Sequence, residues 1–130
     1  MKNSKTKWLD RRIAAPGPRL ALCLTESEYV KAVESLGVKS RNPWLAKDAA
    51  THWFEGSGGL SAVVCLDGSS AFGRNPVEVH GLLVHEAVHV WQAYAKQIGE
   101  EYPGQEQEAY AIQAISQELM AEFLRRMERK

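Results

Sequence analysis

The period of the apolar positions changes several times along the chain, and each change marks a predicted element. Arg19 to Leu24 is a short apolar run behind the breaker cluster Pro16-Gly17-Pro18 and reads as a strand. Thr25-Glu26-Ser27-Glu28 has capping-box spacing, with Thr25 as N-cap and Glu28 reaching back. It opens a helix with Tyr29, Val30, Val33 and Leu36 as its apolar positions and Gly37 as its stop. The stretch from Val38 through Asn42-Pro43-Trp44 to Asp48 has no clear period, and a short helical turn is expected near Trp44 to Lys47. Thr51 to Glu55 and Leu60 to Asp67 then read as strands joined by Gly56-Ser57-Gly58-Gly59, a link of hairpin length.

After a turn at Asp67-Gly68 and a polar loop from Ser69 to Arg74, the pattern becomes helical and stays so to Ile98. Asn75 is a good N-cap, Pro76 suits the first helical position, and Glu78 sits three after the cap. Gly99 stops this helix, and a short loop to Gly104 leads into a last helix from Gln105 to about Arg129. Its apolar stripe is Ala109, Ile112, Ile115, Leu119, Phe123 and Met127, with the opposite side charged. A short loop makes the two helices neighbours. The expectation is a small α+β domain in which a short antiparallel or mixed sheet packs on the two long helices.

Composition adds bounds. The 130 residues suffice for one domain with one core, and residues 1–15 read as a flexible tail. Sixteen basic and sixteen acidic residues cancel, so no overall field directs the chain to nucleic acid or to an anionic membrane. Lys2, Lys5, Lys7, Arg11 and Arg12 gather at the N-terminus, where a solvated tail is the expected role. No apolar run resembles a signal peptide or a membrane span, which makes the cytoplasm the expected compartment. Cys23 and Cys65 lie in strand-like runs without zinc-ligand spacing and are expected as buried free thiols. The Gly56 to Gly59 stretch is not a phosphate loop, because a strand rather than a helix follows it.

The chemistry is concentrated in His85-Glu86-Ala87-Val88-His89. Histidines four apart on a helix present their imidazoles on one face and can share a zinc ion, while Glu86 can meet a water there as general base. Val84, Ala87, Val88, Val90 and Trp91 make the segment apolar on most sides, which predicts buried histidines in need of a partner. His80 lies about 140° away from this face and is expected as a satisfied structural histidine. His52 is expected on a strand surface or beside a ligand. Glu106 follows His89 by 17 positions, and a loop of about five residues at ~3.3 Å each can bring the start of the last helix near the metal.

Together with Glu106-Gln107-Glu108-Ala109-Tyr110, the motif resembles the gluzincin clan of zinc metallopeptidases, in which a glutamate on the following helix is the third ligand. The two motifs cover about a fifth of the chain, and its size is similar to that of the minimal single-domain members and of small phage- or prophage-encoded proteins. The resemblance implies a zincin-like fold and zinc held by His85, His89 and Glu106, with Glu86 catalytic. Tyr110 stands where the clan has an aspartate, and there it could hydrogen-bond to a histidine or an oxyanion. Glu108 is the rival third ligand, since periodicity buries it while the motif favours Glu106. The implied activity is zinc-dependent peptide hydrolysis, with an extended peptide or protein substrate along the Leu60 to Leu66 strand as an open edge. The alternative is a non-catalytic zinc-binding or assembly module, for example phage-associated. Oligomeric state is not legible.

Overall fold

The computed structural model describes residues 5–9, 18–45, 47–56, 59–99 and 104–129. Seven elements follow in order: β1 (Arg19–Cys23), α1 (Glu26–Ser35), β2 (Ala49–Gly56), β3 (Gly59–Leu66), α2 (Gly68–Ala71), α3 (Pro76–Gln97) and α4 (Gln105–Glu128). The fold class is α+β.

The sheet has the order β1-β3-β2, with β1 parallel and β2 antiparallel to β3. Gly56 pairs with Gly59 at the hairpin end, and the residues of the turn between them lie outside the described residues. This topology corrects one expectation. The Leu60 to Leu66 strand is the centre of the sheet, because its largely apolar run suits burial on both faces and both its edges are paired. The outer side of β1 is met by the N-terminal segment, where Leu9 is buried and its N–H donates to the Leu20 carbonyl at 2.7 Å. So residues 5–9 dock on the fold, although they fall in the expected flexible tail. Among the described residues the open edge belongs to β2.

The strand period of two sorts side chains between two cores. Leu20, Leu22, Leu60, Ala62, Val64 and Leu66 meet α3 and α4, whereas Cys23, Val63 and Cys65 meet Tyr29, Ala32 and Val33 of α1. Cys23 and Cys65 are register partners, buried and free. The hydrogen bond with Cys23, together with burial, pushes the Cys65 thiol far up, so Cys65 stays protonated and unreactive.

Helix boundaries follow local chemistry. Thr25 Oγ1 accepts from the Glu28 N–H, and the Glu28 carboxylate accepts from the Leu24 N–H, a reciprocal cap one residue wider than the expected box. Asn75 Oδ1 accepts from the Val77 N–H at 2.9 Å, with Pro76 at the first turn of α3. Gly99 takes φ +79°, a conformation that needs glycine. Where a polar loop is expected, residues 68–71 form α2, because Asp67 caps it through the Ser69 N–H. Trp44 and Leu45 are not helical, against the expected turn.

On α4 the buried positions are Ala111, Ile115, Ser116, Leu119, Glu122 and Phe123. Ala109, expected in the stripe, is exposed. Among the described residues, buried His80 Nε2 has no hydrogen-bond partner, rather than being satisfied. No helix of the described residues is long and apolar enough to cross a membrane.

Candidate metal centre

Helix α3 carries the motif without a kink, so His85 and His89 stand one turn apart on one face. Their Nε2 atoms are 3.3 Å apart and the rings meet edge to face, with centroids 4.9 Å apart. Two nitrogen ligands at about 2.0–2.1 Å from one zinc, separated by a tetrahedral angle, lie roughly 3.3–3.4 Å from each other. The pair therefore has the span that a shared metal requires. Both imidazoles are exposed rather than buried. The apolar neighbours of the motif turn to the core instead, and the histidine face is the one left over.

Glu86 is the buried member, 6% exposed. One position on from His85, it is rotated about 100° toward the sheet, where Thr51 Oγ1 on β2 donates to Glu86 Oε1 at 2.6 Å. That hydrogen bond engages one carboxylate oxygen, Oε1. Between α3 and β2 runs a cavity of about 880 Å³ whose walls include His85, Glu86, His89, Leu82, Thr51 and Trp53. Trp53 is half exposed along its rim. At the far end Arg74 lies 3.6 Å from Glu78 and 3.9 Å from Asp48.

The strand period that sends Thr51 and Trp53 to this cavity sends His52 and Phe54 to the other face. There the His52 ring lies tilted against Tyr29, centroids 4.6 Å apart, and its Nε2 is 3.1 Å from the Trp44 carbonyl. His52 is thus held away from the histidine pair. Thr51 was not among the expected site residues. Its signal was available only jointly, from strand alternation and from knowing which strand is the open edge.

The residues expected on the last helix are not brought to the pair. Among the described residues no third His, Cys, Asp or Glu is grouped with His85 and His89. Glu106 is exposed in the first turn of α4, and Tyr110 is 67% exposed; neither lines the cavity. The Glu108 carboxylate accepts from Trp91 Nε1 at 2.8 Å. Trp91 leaves α3 about 200° round from His89, so this bond draws α4 to the opposite flank of the helix. The half-burial of Glu108 follows the periodicity.

Compared with protein-family models, characterised proteins and solved structures, the chain has no match.

Proposed function

We propose that the chain is a metal-dependent hydrolase of peptide bonds, with His85 and His89 as zinc ligands and Glu86 as general base. The observation that carries this is the 3.3 Å Nε2 pair beside a buried carboxylate with one oxygen tethered, all on one cavity. A bound zinc supplies Lewis-acid polarisation of a carbonyl and lowers the pKa of water toward about 7. Glu86 takes the proton of the attacking water on Oε2 and returns it to the leaving amine, while Thr51 holds Oε1. An extended peptide adds to the free edge of β2, not to β3, with its side chains toward Trp53 and Leu82. Glu106 is kept from the resemblance as third ligand, which requires the start of α4 to approach the pair when metal binds.

The second reading is a zinc-binding or assembly module without turnover. It is favoured by the absence of a third ligand beside the pair among the described residues. Elemental analysis of protein purified without added metal, together with hydrolysis of a quenched-fluorescent peptide library, decides between them. The proposal expects about one zinc per chain, lost in His85→Ala, and hydrolysis lost in Glu86→Gln with zinc retained. Reduced zinc in Glu106→Gln or in Glu108→Gln names the third ligand. Zinc without hydrolysis supports the module, and a chain that takes up no zinc overturns both readings.

A further inference from the structure

The edge of the sheet opposite β2 carries a second feature, independent of the metal centre. Two adjoining cavities of about 700 Å³ each share Lys5, Thr6 and Lys31. Among the described residues, seven Lys or Arg and three Glu stand around them, a surplus of four positive charges in a chain whose net charge is zero. The cations come from the N-terminal segment, β1, α1 and α4, so tertiary structure gathers them. We propose that this cleft binds a small anion carrying a chain of two or more phosphates.

The cleft is built rather than merely basic. Glu122 is 5% exposed at its wall and holds Lys7 at 3.1 Å and both Nε and Nη2 of Arg125. Burial raises the Glu122 carboxyl, but the bonds from Arg125 and Lys7 outweigh it and hold it below the usual carboxylate range. It therefore stays charged and fixes two cations in place. Arg126 donates to both carboxylate oxygens of Glu28, which holds it in place. Each guanidinium lines the cavity and keeps N–H donors beyond those its glutamate uses.

Lys5, Lys31 and Arg129 line the same cavity with no carboxylate partner among the described residues. Like charges crowded on one cleft repel one another, and a multiply charged anion relieves that repulsion while a monovalent one does so only in part. The spread of the surplus over two cavities matches a chain of phosphates rather than a single one. In the second cavity Arg19 stacks over Trp8, 4.0 Å from the ring centroid. That flat surface is where a nucleoside base would add to the phosphate contacts.

Calorimetric titration of the full chain at about 0.15 M salt, near the physiological Debye length, tests this with inorganic tripolyphosphate and with ATP. Tripolyphosphate should saturate at one per chain, with affinity at least tenfold lower in Lys31→Glu/Arg129→Glu. It should be unchanged in Lys96→Glu, which lies outside the cleft, and in His85→Ala. Lys31→Gln/Arg129→Gln, with a smaller loss, replaces the double reversal if the latter does not fold. ATP binding more tightly than tripolyphosphate assigns a nucleotide, and equal affinity assigns the phosphate chain alone; both support the cleft. No saturation by millimolar ligand overturns the proposal, as does an equal loss in Lys96→Glu. Loss in His85→Ala would place the phosphates at the metal centre. A single-stranded oligonucleotide that binds more tightly per phosphate than tripolyphosphate would overturn it in favour of a nucleic-acid surface.

Discussion

Thr51→Val tests the positioning of Glu86 without altering shape. The substitution replaces the hydroxyl by a methyl and removes the 2.6 Å donor to Glu86 Oε1. A hydrogen bond to a charged group contributes about 1.5–3 kcal/mol, and Thr51 is only half-buried, so the lower part of that range, about 1.5–2 kcal/mol, applies. Unfolding entropy of ~2.1 cal/mol/K per residue over 130 residues gives about 0.27 kcal/mol per degree. The melting temperature should therefore fall by about 6–7 °C. The assay is thermal and urea unfolding of wild type, Thr51→Val, Glu86→Ala and the double variant, because a glutamine at position 86 would still accept from Thr51. A double-mutant cycle then isolates the pair. If the carboxylate is held as described, coupling exceeds about 1 kcal/mol. A loss below about 0.5 kcal/mol in Thr51→Val, with no coupling, would refute the tether and with it the assignment of β2 as the wall that aims Glu86.

Glu122 links stability to pH with a definite sign. Its folded pKa is depressed, so its contribution is present above the unfolded value near 4.3 and is lost as pH falls through the folded value. Glu122→Gln should melt below wild type at pH 7, with the gap closing below about pH 4; a gap independent of pH would contradict the ion-pair account. At Gly68 a Cβ would stand 3.0 Å from both the Cβ and the carbonyl oxygen of Leu24, whereas at Gly73 the nearest atom is 3.8 Å away. Chemical denaturation should show Gly68→Ala less stable by about 1–3 kcal/mol and Gly73→Ala within ~0.5 kcal/mol; equal effects would mean that the β1–α2 junction has slack.

Helices α1, α3 and α4 were legible within a residue or two because their signals are local. Thr25, Asn75 and Pro76 act on backbone groups within one turn, and apolar residues at spacings of three and four define a face without reference to anything distant. The motif was legible for the same reason, since four residues of helix suffice to align His85 with His89. The pair is exposed where the apolar flanks predict burial, because hydropathy counts neighbours around the helix but does not say which side faces a partner. The polar stretch after Asp67 reads as a loop because four residues carry too little pattern to reveal a capped turn of helix.

Sequence alone determined the strands and the three longer helices, the two caps, the free cysteines and the alignment of His85 with His89 on one helix face, all of which depend on interactions within a few residues. Tertiary structure alone decided that Leu60 to Leu66 is central and β2 the open edge, because a hydrophobic run reports burial and not neighbours. It alone placed Thr51 against Glu86, and bound Glu108 to Trp91 on the far flank of α3. The same holds for the basic cleft, whose cations are separated by more than a hundred positions and cancel in the net charge. Coulomb interactions depend on distance in space, and the fold is what sets that distance.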